Sequence, residues 1–197
     1  MAPDPPTGYD PSVAQPSPRS PILYEEYRLL PEDGRRYELI EGDLLVSPGP
    51  SSRHQTVSRR LQFELMKALE ETGLAQVFDA PIDVVLAPTT CVQPDLVVVS
   101  AASAHIITDR AIEGVPDVLV EILSPTSFDR DQDLKRKLYE RFRIREYWIV
   151  DPEDGLVVVH RHEGEGYRVR ARYDRTATLE CPEFPSLAVP LGHVFRS

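Results

Sequence analysis

Cysteine is nearly missing from this chain. Cys91 and Cys181 are the only two among 197 residues, they lie far apart, and they form no metal-ligand spacing. That excludes a disulfide scaffold and a thiolate metal knuckle, and neither cysteine has the surroundings of a nucleophile. Long apolar runs are missing too, so no membrane partner is expected. The first residues, Met1 to Pro6, have no basic start or apolar middle and do not read as a secretion signal. A reduced, cytoplasmic setting is therefore expected. An excess of basic residues is also lacking: Lys and Arg number 22 against 32 Asp and Glu, a net charge of −10. This argues against a protein that coats nucleic acid non-specifically, but it leaves room for a nuclease whose groove is locally basic. The basic clusters that exist are Arg53-His54, Arg59-Arg60 and Lys135 to Lys137 continuing through Arg141, Arg143 and Arg145. Taken alone, these read as solvated helix faces.

What is present is an ordinary globular balance, 41% hydrophobic and 27% charged, enough for one domain with a full core. Residues 1–21 are rich in proline and serine and lack apolar periodicity, so a disordered or loosely ordered tail is expected there. The single domain is expected over 22–197. Tyr24 to Tyr27 reads as a short helix ending near Pro31 to Gly34. From Arg36 to Pro48, two apolar-rich arms flank Glu41-Gly42, a tight hairpin. Ser51-Ser52 offers an N-cap. The helix that follows carries Val57, Leu61, Leu65 and Leu69 on one face and has Gly73 as its stop. Strands are expected at Gln76 to Phe78, Ile82 to Leu86, Leu96 to Val99 and Val118 to Leu123, with a polar, alanine-rich excursion from Ser100 to Val115. A helix over Asp129 to Phe142 leads to a strand at Glu146 to Asp151. Leu156 to His160 and Tyr167 to Ala171 form a second hairpin. The end, punctuated by Pro182, Pro185 and Pro190, reads as having little regular structure. The order predicts an α/β fold, a mixed sheet with helices packed on it.

Two acids stand out. Glu121 sits inside Pro116-Asp117-Val118-Leu119-Val120-Glu121-Ile122-Leu123, and a charge in an apolar strand is costly unless it is paired or holds a metal. Asp95 opens the similar run Gln93-Pro94-Asp95-Leu96-Val97-Val98-Val99. Alone, Asp95 is equally a turn residue. If the two strands are neighbours, both carboxylates reach one hard divalent cation. Mg²⁺ takes one or two protein carboxylates and keeps positions for water and a phosphate oxygen. Such an ion stabilises charge on a scissile phosphate and generates hydroxide near neutral pH.

A lysine is suited to orient the attacking water. At about 100° per residue, Leu134, Leu138, Tyr139 and Phe142 fan across one helix face, with Asp131 and Lys135 inside the fan and Lys137 well away from it. Lys135 therefore faces the sheet and Lys137 faces solvent. Asp131 and Lys135 also form an i,i+4 pair, which by itself stabilises the helix by ~0.3 kcal/mol. Glu38 alternates with Tyr37 and Leu39 and projects beside Ile40, as either a solvent-facing hairpin acid or a further ligand. His54, near the first helix's start, reads as capping or packing, with phosphate contact the less favoured role. His160 and His162 read as structural surface residues. Tyr139 and Trp148 read as core residues with a satisfied polar tip.

Four segments carry a resemblance: Tyr37-Glu38-Leu39-Ile40-Glu41-Gly42-Asp43-Leu44, Gln93-Pro94-Asp95, Val120-Glu121-Ile122-Leu123-Ser124-Pro125-Thr126 and Glu146-Tyr147-Trp148-Ile149-Val150-Asp151-Pro152. In this order they resemble the Uma family, a large bacterial group of restriction-endonuclease candidates in the PD-(D/E)XK nuclease superfamily. The likeness runs from about Tyr24 to Phe195. It implies a restriction-endonuclease-like core: a mixed central β-sheet flanked by helices, with N-terminal and C-terminal β-hairpins. It also implies a metal-dependent phosphodiesterase site at Asp95 and Glu121. The chain departs from the superfamily at the E-x-K strand motif, where Glu121-Ile122-Leu123 has leucine in place of lysine. Lys135 fits the family's Asp-x-x-x-Lys-x-x-x-Tyr pattern (Asp131, Lys135, Tyr139), reaching the residue the helical face had already singled out.

The expectation is a Mg²⁺-dependent endodeoxyribonuclease, with Mn²⁺ as a substitute ion. Asp95, Glu121 and the Ile122 carbonyl would hold the metal, Lys135 would orient water and Glu38 would assist. DNA is the implied partner, and cutting both strands favours a homodimer. The competing expectation is a catalytically weak or inactive module of the same fold that binds nucleic acid or a protein. An unrelated metallohydrolase would need histidine ligands converging on the same acids, and the sequence shows no compelling set.

Overall fold

The computed structural model describes residues 20–31, 33–47, 49–124 and 130–196, with the backbone alone for 130–132. The tail expected over 1–21 thus lies outside the described residues except for its last two. In chain order the elements are α1 (Tyr24–Tyr27), β1 (Arg36–Ile40), β2 (Asp43–Ser47), α2 (Ser52–Leu65), β3 (Ala75–Asp79), β4 (Val84–Ala87), β5 (Thr90–Val92), β6 (Leu96–Ser100), β7 (Ile112–Glu113), β8 (Val118–Ile122), α3 (Arg130–Arg141), β9 (Glu146–Asp151), β10 (Leu156–His162), β11 (Tyr167–Asp174), β12 (Thr178–Cys181), β13 (Phe184–Pro190) and α4 (Leu191–Val194). Among the described residues no helix is long and apolar enough to cross a membrane.

The strands form a six-stranded sheet in the order β11-β10-β9-β8-β6-β3, a five-stranded sheet in the order β2-β1-β5-β4-β7, and the ribbon β12-β13. In the large sheet β8 and β9 run parallel while β6 is antiparallel to β8, so the sheet is mixed as expected. A parallel pair needs a crossover, and α3 lies in the segment that joins β8 to β9. Alternation along the strands gives the sheet two apolar faces. Val98, Val120, Ile122, Trp148 and Val150 pack with the Val57, Leu61 and Leu65 stripe of α2. Val97, Leu119 and Tyr147 pack with Leu138 and Tyr139 of α3 on the other face. Glu121 belongs to the second face, two residues after Leu119, so its charge is delivered into the layer beneath α3.

The hairpin turn falls where the sequence placed it. Glu41 and Gly42 have φ of 54° and 87°, the positive pair of a type I′ turn. A side chain at Gly42 would collide with Pro21. Helix α2 ends differently from the expectation. It is α-helical to Leu65 and continues through a wider π turn, Met66–Glu70. Its apolar residues recur every fourth position rather than every 3.6, so the stripe drifts, and an i→i+5 turn returns Leu69 to full burial.

Two further expectations are corrected. The strand expected at Ile82 to Leu86 is β4 at Val84–Ala87, and it turns back at once into the unforeseen β5. The carboxyl-terminal run, expected to be irregular, forms β12, β13 and α4. Pro185 and Pro190 sit at exposed positions of a two-stranded ribbon, where a missing N–H is tolerated. Leu179, Phe184, Leu187 and Val189 meanwhile alternate inward to join the core.

Candidate active site

Asp95 precedes β6, and its neighbour Leu96 pairs with Val120 of β8, which brings the carboxylate to the end of β8. There the Ile122 N–H donates to Asp95 Oδ2 at 2.8 Å. In an extended strand the N–H and C=O of a residue project to the same side, so the Ile122 carbonyl points toward the same place. Arg36 donates to Asp95 Oδ1 at 3.2 Å. His54 Nε2 lies 3.1 Å from Asp95 Oδ2. An ionised carboxylate only accepts, so Nε2 carries the proton.

Glu121 Oε1 accepts from Lys135 Nζ at 2.9 Å and from the Tyr139 hydroxyl at 2.7 Å. The same ammonium lies 3.0 Å from Glu38 Oε1. Glu38 is only 2% exposed, and it also accepts from the Gln93 N–H at 2.8 Å and the Ser47 hydroxyl at 3.3 Å. Four parts of the fold therefore converge: β1 brings Glu38 and Arg36, the residue just before β6 is Asp95, β8 brings Glu121, and α3 brings Lys135. A cleft opens over them, bordered by His54, Ile122, Leu134 and Tyr147.

The electrostatics separate the two central acids. Burial pushes the Glu121 carboxyl up; Lys135 opposes this, Asp95 and Glu38 add to it, and the net direction is upward. Burial acts on Asp95 in the same sense, but the His54 hydrogen bond, the Arg36 charge and the Ile122 N–H outweigh it and hold the carboxyl low. Burial would lower Lys135, yet Glu121 and Glu38 raise it well above the usual lysine value, so it is an ammonium at any physiological pH.

Asp95, Glu121, Ile122, Lys135 and Glu38, singled out in the sequence, all stand in this cluster. Glu38 turns inward rather than to solvent. Lys135 faces the sheet and Lys137 is exposed, while the side chain of Asp131 lies outside the described residues. Leu134, expected in the core-facing fan, is 40% exposed because it borders the cleft rather than the core. Of the two roles expected for His54, capping and packing, its side chain takes the second: it is buried against Asp95. Ser51 Oγ caps α2 by accepting the His54 backbone N–H, which frees the imidazole to reach Asp95. The tip of Tyr139 is satisfied as expected, and its partner is the site carboxylate itself.

Arg36 and Tyr147 were not foreseen. Arg36 could have been, since it shares a strand face with Glu38 at i,i+2. Among the described residues, five buried side-chain polar atoms have no hydrogen-bond partner, and Arg36 Nε, His54 Nδ1 and the Tyr147 hydroxyl, three of the five, belong to residues bordering this cleft. A buried unmade hydrogen bond costs ~1–3 kcal/mol. Tyr147→Phe, which keeps the ring contacts with Tyr139 and His160, is therefore expected to hold or raise the melting temperature. A drop of more than about 3 °C in thermal denaturation, roughly 1 kcal/mol at this size, would show that the hydroxyl is bonded.

The donor set fits a hard divalent ion: carboxylate oxygens and one backbone carbonyl, with no thiolate. Among the described residues no three His, Cys, Asp or Glu side chains form a ready ligand cluster, since Lys135 stands between Glu38 and Glu121. One or two carboxylates with retained waters is the usual coordination of Mg²⁺, whereas a structural zinc site would need four protein ligands.

The fold is a mixed α/β sheet that gathers buried carboxylates and a lysine at one strand edge. It is similar in structure to a crystal structure from Anabaena variabilis described as a putative nuclease belonging to DUF820. The TM-score is 0.72, with 22% sequence identity over 89% of this chain and 98% of that one. The family described as Putative restriction endonuclease, Uma2, matches residues 24–192. The chain belongs to that family, in agreement with the resemblance carried by its four sequence blocks. A search of curated proteins finds no significant match.

Proposed function

We propose that this protein is a divalent-metal-dependent endonuclease that hydrolyses DNA phosphodiester bonds. The observation that carries this reading is the convergence of Asp95 and Glu121 at the ends of adjacent strands, with the Lys135 ammonium hydrogen-bonded to one of them. Asp95, Glu121 and the Ile122 carbonyl would hold Mg²⁺ or Mn²⁺. Such an ion supplies positive charge to a phosphoryl oxygen and acidifies water.

The remaining roles belong to the chain's own groups. Arg36 and His54 fix the Asp95 carboxylate in its ionised form. Lys135, raised well above the usual lysine value, acts as a proton donor in hydrogen bonds, able to orient water or steady charge on a phosphoryl oxygen, and not as a base. Glu38 and Tyr139 hold Lys135 and Glu121 in register. Lys135 reaches Glu121 from α3, so the leucine at position 123 does not deprive the site of an amine. Cutting both strands would favour a homodimer.

The test is conversion of supercoiled plasmid to nicked and linear forms with Mg²⁺ or Mn²⁺, abolished by a chelator. No nicking with either ion, together with calorimetric Mn²⁺ binding that is unaltered in Asp95→Ala, would remove the assignment.

A further inference from the structure

Helix α2 places Arg53, Thr56, Val57 and Arg60 at i, i+3, i+4 and i+7, a single stripe. This stripe forms one wall of a second cavity of about 290 Å³, closed on the far side by Pro152, Phe195 and Arg196. The cavity is cationic in a chain of net charge −10. Arg60 is held by main-chain carbonyls, those of Val194 and Arg196, so its hydrogen bonds fix the guanidinium without cancelling its charge. Arg53 donates to the Pro152 carbonyl and pairs with Glu153 at 3.2 Å, but both members of that pair are more than half exposed. Exposed pairs contribute ~0–1 kcal/mol and give way readily to a stronger anion.

The location is as informative as the charge. Leu123 and Ser124, in the carboxylate cleft, follow β8, and Pro152, in the second cavity, follows β9. These strands are parallel neighbours, so both cavities open at the carboxyl edge of the same pair, where open α/β sheets bind ligands. The first turn of α2 separates them, with His54 facing one and Arg53 the other.

We propose that the Arg53–Arg60–Arg196 cavity binds a backbone phosphate of the DNA strand, next to the phosphate held at the carboxylate cleft. The assignment rests on the nuclease reading. An acidic cleft needs a metal ion to accept a phosphate, whereas the arginine cavity accepts one directly. Phosphates of one strand recur every ~3.4 Å of helix axis, so a strand running from the carboxylate cleft over the first turn of α2 would present a further phosphate to the arginines. Contacts of this kind position the strand and do not read bases.

The test is equilibrium binding of a fluorescent DNA duplex to the full chain, with chelator present, across a range of salt concentrations. Arg60→Gln, which retains donors toward the Val194 and Arg196 carbonyls, and Arg53→Ala are each expected to weaken binding at least about fivefold and to reduce the slope of log K against log salt by ~0.9. Arg168→Ala, on β11 at the far edge of the sheet, is the control and should leave the slope unchanged. Calorimetry with inorganic phosphate runs in parallel. Unchanged slopes in both cavity variants would overturn the proposal, as would absence of DNA binding by the wild type. Arg60-dependent uptake of inorganic phosphate with an unchanged DNA slope would overturn it too. Lowered slopes without plasmid cleavage would keep the cavity and sink the nuclease reading; cleavage with unchanged slopes would do the reverse.

Discussion

Glu121→Gln is expected to reduce metal-dependent DNA cleavage by about a thousandfold or more while leaving the fold as stable as before, or more so. The activity estimate follows from losing a ligand whose ion supplies several kcal/mol of transition-state stabilisation, ~4 kcal/mol at about 1.4 kcal/mol per tenfold. The stability estimate follows from burial. The carboxyl is pushed up in the folded protein, so its ionised form is disfavoured there relative to the unfolded chain. That penalty is full above the folded-state value and vanishes below the ordinary glutamate value of 4.5. The advantage of the variant over wild type should therefore grow as pH rises from that point and then level off. Glutamine keeps an acceptor for Lys135 and Tyr139, so the local hydrogen bonds survive.

Lys135→Met is the counterpart with the opposite sign. It leaves Glu38 and Glu121 buried without their shared cation, and breaking a buried pair in this way costs ~3–5 kcal/mol, about 10 °C at this size. Divalent ion should restore part of the loss by mass action. In wild type, the raised Lys135 contributes stability that is fully present below the ordinary lysine value and is lost only as pH climbs through the folded-state one. Denaturant unfolding of the three proteins between pH 4.5 and 9, alongside single-turnover cleavage, decides the matter. A Glu121→Gln protein that melts far below wild type at neutral pH would show that the carboxylate is structural.

The second large effect lies away from the cleft. Glu146→Ala is expected to destabilise the protein by ~3–5 kcal/mol. Glu146 is fully buried and accepts from Arg161 at 3.0 Å, Trp148 Nε1 at 2.9 Å and the Cys181 thiol at 3.3 Å. Arg161 continues to Glu183 at 2.8 Å, and Glu183 to Arg145 at 2.7 Å. This chain of charges ties the β12–β13 ribbon to β9 and β10. Removing its centre strands a buried indole N–H and leaves Arg161 with Glu183 alone. Glu146→Gln, which still accepts from Trp148, should lose less than half as much. Burial and the Glu146 charge push the Cys181 thiol up, in keeping with a cysteine that only packs and donates. Equal melting temperatures for Glu146→Ala and wild type would show that this chain of charges does not hold the ribbon in place.

The legible parts of the site were those that break a pattern. Glu121 is conspicuous because a carboxylate interrupts an apolar strand, and Lys135 because helical geometry turns it toward the apolar face of its own helix. Arg36 offers only its shared strand face with Glu38, and the His54 imidazole and Tyr147 break nothing locally; their roles come from β1 pairing with β5 and from α2 lying against β8. The ribbon was hidden by its prolines, which read as breakers in a central strand and are harmless on a two-stranded edge. β5, three residues between two turns, is too short to show an alternation.

Glu38 and Lys135 touch across almost a hundred positions of chain, and the strand that carries Glu121 gains its parallel neighbour only when β9 is in place. During synthesis, a ribosome-bound chain that has not yet released Glu146 to Asp151 can display every acid of the cleft without the platform that aligns them. Alignment of the cleft therefore waits on a strand made after all three of its acids, Glu38, Asp95 and Glu121.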